Sequence, residues 1–211
     1  MRHSLHLEPF IVLDFETSGI SPQRGDRAIE IGAVRVEQGE IVSRFQSLMN
    51  PGFRINSFIE NYTGISNAML VEAPGNNEVM SNFADFIADG APLVAHNASF
   101  DQRFLEYEFA CVDVTHDNPF GCSMLAARRV YPEAPNHKLG TLVDYKNLQT
   151  DGVFHRALAD AEMTAYLWLQ MLEDLSITYG LKNIPFQLMK DLARVKRHAT
   201  DAFLQRYAAN D

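Results

Sequence analysis

Residues 11–19 read Ile11-Val12-Leu13-Asp14-Phe15-Glu16-Thr17-Ser18-Gly19, and the fold turns on how this stretch is understood. Its first half, with Phe10 ahead of it, is the near-continuous apolar run of a central strand covered on both faces. Its second half sets two carboxylates, Asp14 and Glu16, where apolar residues would otherwise continue. Side chains two apart on a strand leave the same face, so Asp14 and Glu16 are neighbours by geometry while Phe15 points the other way. Like charges held that close repel, and one of them takes up a proton unless something compensates. A divalent cation that favours hard oxygen ligands, magnesium or manganese, is a common compensation. Asp-x-Glu also occurs as a simple cap on a following turn, and the pair by itself does not choose between these roles.

The flanking sequence builds a sheet around this strand. Runs over 28–36 and 41–48 flank Glu37-Gln38-Gly39-Glu40, a short polar link containing glycine, and predict a hairpin that makes the first three strands an antiparallel meander. After Asn50-Pro51-Gly52 the pattern turns helical, with a helix start at Ser66 and a stronger helix over 77–88. Residues 91–96 predict a fourth strand followed at once by a helix over 99–109, an order that favours parallel addition to the sheet. A brief strand near 120–121, helices over 124–130 and 139–145, and a long helix over 157–175 follow. The fold class is α/β: a mixed sheet of roughly five strands, antiparallel then parallel, flanked by helices. Ser123 is expected to cap the helix that begins near Met124.

The 211 residues suffice for one well-cored domain, which at this length buries on the order of 70% of its unfolded surface. With 46% hydrophobic and 21% charged residues, the chain is neither disordered nor fibrous in composition. Residues 1–176 are expected to form the domain and 177–211 a helical extension packed on or beside it. Cys111 and Cys122 form no CxxC pair, which points to reduced thiols in a cytoplasmic protein rather than a disulfide framework. The apolar run over 10–13 is far too short for a signal-peptide core or a membrane span, so no membrane partner is expected. A net charge of −9 argues against counterion-release binding to nucleic acid over the whole surface. Only 177–211 is basic, and there Leu188, Leu192, Val195, Ala199 and Ala202 recur at the spacing of an amphipathic helix.

Two further clusters could carry chemistry. His96-Asn97-Ala98-Ser99-Phe100-Asp101 falls at the junction of the fourth strand and its helix, and ligands of open α/β sheets gather outside the carboxyl ends of strands. His155-Arg156-Ala157-Leu158-Ala159-Asp160 opens the long helix. Five residues of regular helix would turn His155 and Asp160 well apart, so the two converge only if His155 lies on the approach to the helix. A histidine there has the ordinary pKa of a base for neutral pH. Each cluster also has a plain structural explanation: Asp101 as a charge favoured near a helix N-terminus, His155 as a loop residue.

The order of these motifs, D-x-E on a first strand, H-N-x-x-F-D at a strand-to-helix junction and H-x-x-x-x-D opening a late helix, resembles the DnaQ-like DEDDh 3′–5′ exonucleases. The resemblance covers about residues 9 to 175 and extends to Ile29-Glu30-Ile31-Gly32-Ala33-Val34, Asn50-Pro51-Gly52, Thr63-Gly64-Ile65 and His137-Lys138-Leu139. Many relatives carry an acidic residue where this chain has Cys122, a position outside the four ligands. The resemblance implies a ribonuclease H-like sheet and two divalent cations, Mg2+ or Mn2+, held by Asp14, Glu16, Asp101 and Asp160, with His155 as general base. It further implies substrate contacts at Thr17, Gly19, Ile20, Thr63, Ile65, His96 and Phe100. The expected reaction is hydrolysis of nucleic acid from a free 3′ end, single-stranded DNA favoured, to release nucleoside 5′-monophosphates. An RNA-trimming exoribonuclease and a noncatalytic polymerase-associated module are the alternatives. A DNA polymerase or another replication or repair protein is an expected partner, and a homodimer is left open.

Overall fold

The computed structural model describes residues 7–148 and 156–209. The stretch 10–17 forms strand β1 (Phe10–Thr17), and the two runs that follow it form β2 (Ala28–Glu37) and β3 (Glu40–Leu48). Three helices come next: α1 (Ser57–Thr63), α2 (Asn67–Glu72) and α3 (Asn76–Phe86). Then come β4 (Leu93–Ala95), α4 (Ser99–Ala110), β5 (Phe120–Cys122), α5 (Ser123–Val130) and α6 (Leu139–Tyr145). The chain closes with α7 (Ala157–Tyr179), α8 (Phe186–Arg194) and α9 (Thr200–Ala208). The five strands lie in the order β3-β2-β1-β4-β5, with β1 to β3 antiparallel and β4 and β5 added parallel. This is the mixed sheet the pattern predicts, with β1 at its centre.

Strand periodicity sorts the core into two layers. Ile11, Leu13 and Phe15 join Ile31, Ala33, Leu93 and Ala95 beneath α3 and α4, where Phe83, Phe104, Leu105 and Phe109 are buried. Phe10 and Val12 face the opposite side with Val34, Val36 and Val94, covered by Ala161, Ala165, Trp168 and Leu172 of α7. Each large buried side chain here contributes about 1.5–3 kcal/mol relative to leaving it in water. Asp14 and Glu16 continue the second row, so the carboxylates stand on the α7 side of the sheet.

The long helix outruns its expected end at 175 and stops at Tyr179, where Gly180 adopts a left-handed φ of 70° that suits glycine. Beyond it, Leu188, Met189 and Leu192 of α8 and Leu204 of α9 are buried in the same cluster as Trp168. Gly121 of β5 makes room for α8, since a Cβ there would stand 2.8 Å from the Phe186 ring. Among the described residues, no helix is long and apolar enough to cross a membrane.

Candidate active site

Antiparallel register sets the floor of the site. Asp14 of β1 lies opposite Gly32 of β2, and Glu16 lies opposite Glu30, so all four positions share the face that α7 covers. At Gly32 the start of α7 comes so close that a Cβ would collide with the backbone of Ala157 and Leu158. A glycine is required there because the helix lies directly on the strand. Only with that approach does Asp160, in the first turn of α7, reach the carboxylates of β1. Oxygens of Asp14, Glu16 and Asp160 all lie within 4.8 Å of one another.

Helix α7 is fixed in this position by Glu30. Its carboxylate is fully buried and accepts from Arg156 Nη2 at 2.7 Å, Arg156 Nε at 3.1 Å, Ala157 N at 3.1 Å and Gln46 Nε2 at 3.0 Å. A buried charge is tolerable only when paired and hydrogen-bonded, and this one is both. The same device recurs on the other flank. Glu108 of α4, also fully buried, accepts from Arg27 Nε at 2.9 Å, Arg27 Nη2 at 2.7 Å and Ala28 N at 3.0 Å. In each case one buried glutamate takes an arginine fork and the next backbone N–H. One pair locks the helix that carries Asp160, the other the helix that carries Asp101.

Asp101 arrives from the opposite layer. The chain leaves β4, turns at Asn97 with a left-handed φ of 69°, and enters α4 with Asp101 in the first turn. Its side chain is 2% exposed, and Oδ1 accepts the Phe15 N–H at 3.2 Å, between Asp14 and Glu16 in the chain. Asp101 is therefore held against the strand that bears two of the grouped carboxylates while standing outside the 4.8 Å group itself.

This density of acid is visible in the proton affinities. Burial, followed by repulsion from Asp160, Glu30 and Asp101, pushes Glu16 up to about 8, with Arg156 opposing. Asp101 is likewise raised to about 8 by burial, against the N–H of Phe15. The Asp14 carboxyl is driven well above the usual range by burial and then by Asp101, Asp160, Glu16 and Glu30. Such carboxyls are protonated near neutrality unless positive charge arrives among them. The donor set is all hard oxygen, which suits Mg2+ or Mn2+ and not a thiolate-seeking metal.

The positions expected to touch substrate are distributed differently. Ile20, 74% exposed, is the one of the seven that presents a widely exposed side chain. Thr17 is buried and its Oγ1 donates to Gly19 O at 2.6 Å, while Gly19 packs so tightly that a Cβ would strike the Asp26 carboxylate. Thr63 and Ile65 are buried: Thr63 Oγ1 donates to Ile59 O and accepts from Ile65 N, and Ile65 packs with Ile29, Ile55 and Leu70. Phe100 is half-buried against Phe104, with the Arg103 guanidinium 5.9 Å from its ring.

His96 has both ring nitrogens engaged, Nδ1 with Ser123 Oγ at 2.8 Å and Nε2 with His137 O at 2.9 Å. A carbonyl only accepts, so Nε2 carries the proton and Nδ1 accepts from the serine. Burial pulls this imidazole down to about 4, in spite of the His137 carbonyl. Ser123 was expected as a helix cap; instead Cys122 holds the cap position, and the Ser123 hydroxyl lies 2.8 Å from His96 and 3.3 Å from Ala95 O. The serine is pulled inward because the ring nitrogen of His96 offers it a buried partner. His155 lies outside the described residues. Its neighbour Arg156 is the residue locked to Glu30.

Against known proteins, the RNase T model, described as an exonuclease, matches residues 11–168. The DNA polymerase III subunit epsilon of Aquifex aeolicus is 36% identical over 182 residues, covering 86% of this chain and 89% of that one. The chain belongs to the DnaQ-like DEDDh exonuclease family. A PolC-type DNA polymerase III of Caldanaerobacter subterraneus is 38% identical over 175 residues, and there this DEDDh chain spans only 12% of the relative's length. A solved structure of exonuclease X in complex with 5′ overhanging duplex DNA is 26% identical, with a TM-score of 0.66 over 87% of this chain and 99% of that one. Of the five residues at which the sequence leads one to expect the signature of this family, Asp14, Glu16, Asp101, His155 and Asp160, the structure groups Asp14, Glu16 and Asp160. Sequence reasoning missed what holds it together, namely Glu30 with Arg156, Glu108 with Arg27, and the bare backbone at Gly32. The one visible signal was Glu30 itself, a carboxylate inside an otherwise apolar strand.

Proposed function

We propose that this DEDDh chain is a metal-dependent 3′–5′ exonuclease that removes nucleoside 5′-monophosphates from the free 3′ end of nucleic acid, with single-stranded DNA its preferred substrate. The observation that carries the reading is the convergence of Asp14, Glu16 and Asp160 within 4.8 Å at the carboxyl end of the central strand. Two divalent cations held by these carboxylates and Asp101 would supply the positive charge that activates a water and stabilises the leaving oxygen in phosphodiester hydrolysis. Asp14, whose carboxyl is raised by Asp101, Asp160 and Glu16 together, would be a ligand alongside all three. Asp101 is turned toward the same strand by the Phe15 N–H. His155, one residue ahead of the anchored Arg156, takes the proton from the attacking water. The preference for DNA, and a working partnership with a DNA polymerase, are supported by the polymerase relatives rather than by any contact within this chain.

Incubation with 5′-labelled single-stranded DNA and RNA, with Mg2+, Mn2+ or chelator, tests the reading. It predicts a ladder shortening from the 3′ end that chelator abolishes. In Asp14→Asn, turnover should fall about a thousandfold, equivalent to about 4 kcal/mol. Endonucleolytic fragments, or activity indifferent to chelator, would overturn it, and faster digestion of RNA would move the substrate to the exoribonuclease alternative.

A further inference from the structure

Three of the six lysines and arginines of residues 177–211 lie close together in sequence on the surface. Arg194 ends α8, and Lys196, Arg197 and His198 follow in the link to α9, all four exposed. That link is tied to the end of α5. Arg129 Nε donates to Val195 O at 2.9 Å and its Nη1 to Leu125 O at 3.1 Å. Arg197 Nη2 donates to Pro132 O at 2.5 Å and lies 3.3 Å from Glu133. Residues 123–138 and 191–201 together hold Arg128, Arg129, Lys138, Arg194, Lys196 and Arg197 against three carboxylates, Glu133, Asp191 and Asp201, in a chain of net charge −9.

Helix α5 and the loop after it connect this patch to the strand-to-helix turn at His96. Helix α5 starts at the carboxyl end of β5, where Ser123 lies 2.8 Å from His96, and the loop after α5 returns to place His137 O 2.9 Å from the same ring. His96 opens the turn from β4 to α4 that delivers Asp101. From there α5 runs about 12 Å, at about 1.5 Å per residue, to Arg128 and Arg129 in its last turn.

We infer that the surface from Arg128 through Arg194, Lys196 and Arg197 is a track for the phosphate backbone of a single strand upstream of its 3′ end. The inference rests on the exonuclease reading above. Cations gathered along one line let an acidic protein hold a polyanion locally, and backbone contacts tolerate any sequence. Strands long enough to reach the track gain affinity, and shorter ones gain none.

The double variant Arg194→Glu/Lys196→Glu tests this, compared with wild type on dT20 and dT3 at several salt concentrations. KM for dT20 should rise about tenfold, and the slope of its logarithm against log salt should flatten by about 1.4, the value for two lost phosphate contacts on a single strand. Turnover of dT3 should be unchanged, and the charge-retaining pair Arg194→Lys/Lys196→Arg should behave as wild type. An unchanged KM for dT20, or equal losses on dT3 and dT20, would overturn the track. If wild type cleaves neither strand, the exonuclease reading fails, and anisotropy of labelled dT20 decides the track separately. Binding about tenfold weaker in the double variant supports it, and equal binding refutes it.

Discussion

At the scale of single residues, the site is defined by groups whose charge the fold resists. Glu16 and Asp101, raised to about 8, keep their protons when folded at pH values where the unfolded chain has released them. The folded state then binds more protons from the ordinary carboxyl range up to about pH 8, so the stability of chelated protein should fall as pH rises through that window. At pH 8, Mg2+ at about a hundred times its Kd should restore about 2.7 kcal/mol, and the same concentration should restore much less at pH 5, where protons compete for the carboxylates and Kd is weaker. Thermal melts with chelator and with Mg2+ check both; a chelated protein whose melting point rises from pH 5 to 8 would refute the crowding of acid. His96 has the opposite sign. Its imidazole falls from 6.5 to about 4 on folding, so its contribution is complete above about pH 6.5 and is lost as pH drops toward 4. That contribution is on the order of 3 kcal/mol. NMR titration of the ring should find it neutral at pH 5.5, and a midpoint near 6.5 would contradict the buried pairing with Ser123 and His137.

At the scale of elements, the site is a contact between β1, β2 and the first turn of α7. Asp14 and Glu16 were legible as partners because strand period is rigid over two residues. Asp160 was placed beside them by resemblance, not by spacing, since nothing local relates residues 146 apart. What brings it there is long-range: the Cβ-free backbone at Gly32 and the Glu30 carboxylate under Arg156 and Ala157. Arg156→Ala should leave Glu30 buried without its cation and cost about 3 kcal/mol, the lower end for a broken buried pair because Arg156 is partly exposed. Chemical denaturation measures this, and a loss below about 1 kcal/mol would show the pair to be an ordinary surface bridge. The Ser123 expectation failed for a similar reason. A serine before a helix reads locally as a cap, whereas the hydroxyl is claimed by a histidine 27 positions away.

At the scale of the whole molecule, the antiparallel meander, the parallel addition of later strands and the apolar faces of the helices were readable along the chain from alternation and helical period, whereas the strand order β3-β2-β1-β4-β5 is set by long-range pairing. The C-terminal segment was readable as amphipathic but not as to what it covers, because that depends on Gly121 opening β5 to Phe186. Leu192 is fully buried in the cluster that also holds Trp168 and Val12. Leu192→Ala should therefore lower global stability by about 2–4 kcal/mol while unfolding stays a single transition. A separate early transition would instead show α8 to be a detachable appendage. The proposed metal centre joins the carboxylates of β1 and α7, and titration calorimetry with Mn2+ is its sharpest test. Binding to the wild type should be saturable, should strengthen as pH rises toward 8 and should be abolished in Asp14→Asn; binding of equal strength in that variant would show that these carboxylates do not form the centre.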